Sequence, residues 1–393
     1  MSQAPLPSEP LALGAGLAPS GKFIYIACPW SPAGGGMYKV ADYLITAQAQ
    51  QSRGHAARLE PLDTRGPGSA VASLLVLAGA LGKLVRGRMI GKLAGVHVNV
   101  AERLSLFRKG SVVIACRALG LPVVIHLHAQ MQDFYASLPA PLRALTRWMF
   151  SLACAVVVIG AEPRRFVTQV LRVQASRVEI VDNGVPGPAS APVHQPEARV
   201  RRVVFVGRLC DAKGVADLLE ALAVAPMARD CVEVTLAGNG DIGRYQQLAR
   251  HLGIDGFVHF AGWCDQAAVQ ALLRESDLLV LPSHDEVLPL VVLEALANAL
   301  PVLCTPVGEL PGVLTDGDNA AFVPVGDVAA LGRRIASLLA DDAQRQRLGR
   351  NGRDLYEQRF SMDRFFERIA RIHGRHFGVS AQAEAGTPAE GIA

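Results

Sequence analysis

The segment Pro282-Ser-His-Asp-Glu-Val-Leu-Pro-Leu-Val-Val-Leu-Glu294 holds two glutamates with seven residues between them. Glu286 falls on a loop after the buried-strand pattern of residues 278–281, and Glu294 lies one turn into the apolar helical run 290–299. A carboxylate at the carboxyl end of a strand faces the cleft where open parallel sheets bind ligands, and one in the first turns of the next helix reaches the same ligand from its side. Such a pair offers two acceptors for vicinal hydroxyls. Taken singly, Glu286 is better explained as a solvated loop acid and Glu294 as a charge that suits the helix macrodipole.

A second constellation, Val203-Val-Phe-Val-Gly-Arg208-Leu-Cys-Asp-Ala-Lys213-Gly, places two cations around a turn directly after a strand. Arg supplies a planar fork of donors and Lys a mobile point charge, so the pair suits a diphosphate; two solvated loop cations are the plain alternative. Gly34-Gly35-Gly36, at a strand-to-helix turn, clears side chains where backbone N–H groups can approach phosphate, or simply makes a tight turn. The G-x-G-x-x-G fingerprint of dinucleotide binding is absent there, which disfavours a dehydrogenase. His128 ends the strand pattern of residues 123–128 and points into the cleft, whereas His126, on the same face but deeper, reads as a core histidine. Asp316-Gly-Asp318 matches D-x-D by letters but reads better as a turn.

These side chains require strands to carry them. Half the chain is apolar and 19% is charged, with 38 glycines and 24 prolines spread throughout the 393 residues, which excludes disorder and collagen-like repeats. Strand, glycine loop and helix open the chain at residues 22–51, and short buried-strand runs follow at 111–115, 123–128 and 155–160. Residues 184–195 carry three prolines without any period and read as a linker. Strands restart at 203–206, 233–237, 258–260, 278–281 and 302–304, with helices at 218–225, 267–275 and 290–299 between them. The expectation is an α/β chain of two Rossmann-like, doubly wound domains facing a central cleft. Its parts are a flexible leader (1–20), an N-terminal Rossmann-like domain (21–185), a linker (186–200) and a C-terminal Rossmann-like domain (201–360). A last helix (361–378), which can cross back to the first domain, and a disordered tail (379–393) complete it.

The formal charge of +4 hides an asymmetry, because residues 1–190 carry +10 and residues 191–393 carry −6. No window reaches the roughly 18 uninterrupted apolar residues of a spanning helix. Lys83, Arg86, Arg88 and Lys92, however, alternate with Leu84, Val85, Met89, Ile90 and Leu93. Cations beside an apolar stripe are what an anionic membrane surface attracts, although an ordinary surface helix would look the same. Seven scattered cysteines without a C-x-x-C pair fit a reducing cytoplasm rather than a disulfide framework or zinc site.

On these residues the chain resembles the family 4 retaining glycosyltransferases of the GT-B fold. The motif set consists of G-R-L-x-x-x-K-G (207–214), L-A-G-x-G (236–240), F-x-G (260–262), P-S-x-x-E-x-x-P-L-x-x-L-E-A (282–295) and V-G-E-L-P (307–311). The resemblance spans about residues 21–378 and is densest in the second half. It implies that Arg208 and Lys213 neutralise the donor diphosphate and that Glu286 holds hydroxyls of the transferred sugar. The backbone near Leu290 and Val291 meets the phosphate, and Glu294 binds the ribose diol. Gly35, Gly36 and Gly238 belong to the donor site, and His128 hydrogen-bonds the reacting sugar. Asn239, where an acid is more usual, and Val287, where a small residue is, bear on donor specificity. No metal or other cofactor is implied, and no nucleic-acid partner. The overall look is closest to bacterial exopolysaccharide mannosyltransferases, with GDP-mannose as donor and a polyprenyl-diphosphate-linked oligosaccharide as acceptor at the inner face of the cell membrane. An epimerase of nucleotide sugars on the same fold and a non-catalytic saccharide- or membrane-binding protein are the rival readings.

Overall fold

The structure is a computed structural model that describes residues 21–30, 35–50, 57–190 and 200–379. The expected leader, residues 191–199 of the expected linker, Gly34 and residues 380–393 lie outside the described residues. Two six-stranded sheets, every pairing parallel, form the two lobes. The first runs β2-β1-β3-β4-β5-β6, with β1 (Phe23–Cys28), β2 (Arg58–Asp63), β3 (Leu93–Val100), β4 (Val123–Leu127), β5 (Ala155–Val158) and β6 (Val178–Ile180). The second runs β12-β11-β10-β7-β8-β9, with β7 (Arg201–Val206), β8 (Val232–Ala237), β9 (Val258–Gly262), β10 (Leu278–Leu281), β11 (Val302–Cys304) and β12 (Ala321–Phe322). This is the expected doubly wound α/β fold.

One expected strand is corrected. Residues 111–115 lie in the helix Leu104–Ala118. β3 and β4 are parallel neighbours, so the chain between them must cross over, and a helix is the compact way to do it. Val112, Val113 and Cys116 are the part of its buried stripe that imitates a strand.

Side chains alternate across each strand, so one face of the first sheet presents Tyr25, Val96, Val98, Ile125 and Val158 to one core. The opposite face presents Ile24, Ile26, Val124 and Val157 to another. The second core is covered by the helix Gly35–Gln50 and by the helix Met362–Phe377, which contributes Phe365, Phe366, Ile369, Ile372 and Phe377. Phe377 lies so close over Gly95 that a Cβ there would come within 2.4 Å of its ring. The last described helix is thus structural material for the first lobe.

Candidate active site

Lys213 and Glu286 are 73 positions apart and are brought together by glycine. Gly214 has φ +66, and a Cβ on it would fall 2.0 Å from the Pro282 carbonyl oxygen, so only glycine lets the turn after β7 lie against the loop after β10. The His284 N–H donates to Ala212 O at 2.9 Å and fixes the register of the two loops. Lys213 Nζ then pairs with Glu286 Oε1, which also accepts from Ser283 Oγ at 2.9 Å. From the other side Gly308, at φ +59, would place a Cβ 2.1 Å from Glu286 O. Arg208 is exposed and lines an open recess with Asp211, Asp241, Arg244 and Tyr245. No bond joins it to the Lys213–Glu286 pair.

The first lobe closes over this group. Gln130 Nε2 donates to Glu286 O at 2.8 Å. Glu294 is fully buried, and its Oε1 accepts from the Tyr43 hydroxyl at 3.0 Å with Lys39 Nζ at 3.5 Å, both from the helix Gly35–Gln50. Burial and the charge of Glu294 push the Tyr43 phenol well above its ordinary range, so it stays a donor. Glu294 Oε2 is buried without a hydrogen-bond partner among the described residues. A Cβ on Gly36 would stand 3.6 Å from Leu290 Cδ1, which places the glycine turn opposite the start of the helix Leu290–Ala297. That helix has no side-chain cap, so N–H groups of its first turn, near Leu290 and Val291, have no side-chain acceptor from the cap, as an anion site would require.

His128 follows β4, its N–H donating to Val100 O at 2.9 Å. Its Nε2 lies 2.7 Å from Asn99 Oδ1 and donates to it, which leaves Nδ1 as the acceptor. Behind it runs a column of buried rings. His126 stacks 4.0 Å from His128, His97 Nε2 lies 3.2 Å from His126 Nδ1, and His97 Nδ1 lies 2.9 Å from His373 Nε2 on the last helix. Burial lowers His128 and His97 to about 3 and His126 well below the usual imidazole range, so all three are neutral at pH 7.

Glu309 supplies a further bridge. Its two carboxylate oxygens each accept at 3.0 Å from the N–H groups of Ala161 and Glu162, at the start of a short helix of the other lobe. Sequence reasoning missed Asn99, Gln130, Tyr43, Ser283 and Glu309; for the interlobe residues nothing in their spacing signals a partner in the other half of the chain. Gly238 has a packing reason of its own, because a Cβ would fall 1.8 Å from Gly207 O. Lys83, Arg86, Arg88 and Lys92 are exposed on or just after the helix Ala70–Met89, apart from the residues described above. Asp316 and Asp318 are engaged in turn bonds to Phe322 N and the Asn351 amide. Among the described residues no group of three His, Cys, Asp or Glu side chains could hold a metal ion.

Comparison with known proteins meets this geometry at the second lobe. Residues 190–355 match the family model "Glycosyl transferases group 1". A solved structure of Anabaena HepE with UDP and glucose superposes with a TM-score of 0.70 over 90% of this chain and 100% of that one, at 19% identity. The fold is GT-B. The lipopolysaccharide core biosynthesis glycosyltransferase LpsE of Rhizobium meliloti is 33% identical over 189 residues, 48% of this chain and 51% of that protein. Glycogen synthase of Mycobacterium tuberculosis is 26% identical over 274 residues, 67% of this chain and 64% of that one. The chain therefore aligns with only about half to two thirds of the length of these curated relatives. In GT-B terms Lys213, Glu286 and Glu294 stand on the second lobe, and Tyr43 and Gln130 of the first bond to Glu294 and to the Glu286 carbonyl.

Proposed function

We propose that the protein is a retaining glycosyltransferase that moves mannose from GDP-mannose to a polyprenyl-diphosphate-linked oligosaccharide in exopolysaccharide biosynthesis, at the inner face of the cell membrane. The observation that carries the transferase reading is the cluster of Lys213, Glu286 and Glu294 in a cleft closed by the first lobe. Support for mannose and for the lipid-linked acceptor is the motif resemblance.

In this reading the donor diphosphate takes Lys213 away from Glu286, with Arg208 turning in from the adjoining recess. The N–H groups at the start of the helix Leu290–Ala297 add fixed donors. The bond from the anomeric carbon to the diphosphate breaks and its electron pair leaves with the diphosphate, where these cations and donors stabilise it. The acceptor hydroxyl attacks on the same face and passes its proton to the departing phosphate oxygen. Glu286, released from Lys213, holds hydroxyls of the sugar, Glu294 takes the ribose diol, and neutral His128 offers a ring nitrogen to the transferred sugar.

The helix Ala70–Met89 supports a surface-bound enzyme. Ser73, Ala80, Leu84 and Gly87 are buried against the lobe, while Val71, Leu74, Leu75, Val85 and Met89 form a second apolar stripe on the opposite, exposed face. Lys83, Arg86 and Arg88 flank it. No helix among the described residues is long and apolar enough to cross a membrane.

The test is incubation with labelled GDP-mannose, UDP-glucose and UDP-N-acetylglucosamine, with and without a membrane lipid extract. Label from GDP-mannose entering the organic phase supports the proposal, and label entering from another donor overturns the mannose assignment. Label exchanged only between free nucleotide sugars favours an epimerase. Flotation with anionic vesicles should weaken with salt and with Lys83, Arg86, Arg88 and Lys92 changed to Gln; unchanged flotation would remove these cations from the contact, and no flotation of the wild type would remove the membrane role.

A further inference from the structure

Lys109 is fully buried, yet it makes no ion pair among the described residues. Its Nζ has one hydrogen-bond partner among the described residues, Met37 Sδ at 3.2 Å. A buried ammonium without a counter-charge is costly, and such groups are normally paired.

Its place in the fold is informative. The first sheet changes direction between β1 and β3, since β2 lies on one side of them and β4 on the other. Open parallel sheets bind ligands at that switch point, outside the carboxyl ends of the strands. Lys109 stands on the helix after β3, and it reaches Met37, on the helix after β1, so it spans the switch point. Two further polar atoms on the same helix, Ser105 Oγ and Arg108 Nε, are buried without a hydrogen-bond partner among the described residues. Positions 105, 108 and 109 share one helix face. Gly36, next to Met37, faces Leu290 of the other lobe, so this group adjoins the interlobe cleft.

We propose that Lys109, with Arg108 and Ser105 beside it, is the anchor for a phosphate or diphosphate carried by the acceptor. The inference rests on the glycosyltransferase reading and adds to it a residue set for the acceptor's anionic group. Burial lowers Lys109 to about 7, with Arg108 lowering it further and Cys28 opposing. Its charge in turn adds to burial in holding His128 neutral. An entering phosphate supplies the missing counter-charge, and above pH 7 the lysine gains a proton as the anion binds.

The probe is inorganic pyrophosphate, titrated calorimetrically into the full chain already saturated with UDP or GDP at pH 8. Wild type should bind a further equivalent with net proton uptake, read from buffers of different ionisation enthalpy. Lys109→Met should weaken pyrophosphate binding at least tenfold and abolish the uptake, Lys109→Arg should restore binding, and nucleotide affinity should stay within about twofold. Weakened nucleotide binding in Lys109→Met would assign the anion to the donor and overturn the proposal. Pyrophosphate binding that is absent in wild type, or unchanged in Lys109→Met, would also overturn it and leave Lys109 as a packed neutral amine. Should Lys109→Met fail to fold, Arg108→Gln carries the same comparison. Failure of nucleotide to bind at all would count against the transferase reading and leave the pyrophosphate titration readable.

Discussion

Removing the Glu309 carboxylate should open the cleft. In the closed structure each of its oxygens accepts one backbone N–H from the opposite lobe at 3.0 Å, and the residue is 8% exposed. Hydrogen bonds to a charged group are each worth about 1.5–3 kcal/mol net, and a helix N-terminus adds some tenths. Part is recovered when the freed N–H groups meet water, so about 2–3 kcal/mol is the expected loss in Glu309→Ala. That corresponds to roughly a 30- to 150-fold shift from closed to open. Small-angle scattering should show a larger radius of gyration without nucleotide, contracting when UDP or GDP is added. Nucleotide affinity should fall by up to the same factor. Gly160→Ala attacks the contact from the other lobe, because its Cβ would come within 2.0 Å of Glu309 Oε2 at a backbone φ of +89. It should have the same phenotype, and the double variant should be little worse than either single one. Scattering and affinity unchanged in both single variants would refute the latch; fully additive effects would show that the two residues act separately.

Three other outcomes are expected. Lys213→Ala and Glu286→Gln should each lower kcat about 10²- to 10³-fold while melting within a few degrees of wild type, and near-normal turnover in either would remove that residue from the chemistry. Asn99→Leu leaves His128 Nε2–H without its acceptor and should reduce kcat about tenfold with donor KM unchanged; an unaltered kcat would show that His128 needs no such support. The buried histidines should make the protein acid-sensitive, since His97 and His128 titrate near 3 when folded and near 6.5 when unfolded. Below pH 6.5 the unfolded chain binds the extra protons, so stability falls as pH drops toward 3, by about 2 kcal/mol per histidine at pH 5. Urea midpoints at pH 7.5 and 5 measure this, and since His126 is lowered as well, His97→Gln should remove about a third of the difference.

The parts of the molecule that were legible in the sequence are those fixed by local chemistry. Strands β1, β4, β5 and β10 are short apolar runs buried along nearly their whole length, and β7 and β8 carry Val-rich stretches of the same kind, a pattern that survives without context. β2 (RLEPLD) escaped notice because it is an edge strand, where Pro61 and charged residues are tolerated. β3 (LAGVHVNV) is central but interrupted by Gly95, whose missing side chain makes room for a phenylalanine from the far end of the chain. The glutamate pair and Lys213 were visible because the turn glycine between the loops stands next to the lysine itself. Tyr43, Gln130 and Glu309 were not, since their partners exist only after two lobes dock. The buried state of His97 was hidden for the same reason: its closest partner, His373, arrives from residues that follow the whole second lobe.

That late arrival has a consequence for synthesis. The first sheet is complete once β6 has left the ribosome, but one of its two faces, covered until then only in part by the helix Gly35–Gln50, stays partly open until Phe365–Phe377 emerge behind the entire second lobe. At about 5–20 residues per second, the interval lasts roughly 10–40 s. The nascent first lobe spends that time with an open hydrophobic face and an unpaired histidine column, so it is a natural client for chaperones and a poor candidate for expression as an isolated fragment. The second lobe, whose core is drawn almost wholly from its own strands and helices, carries no such dependence.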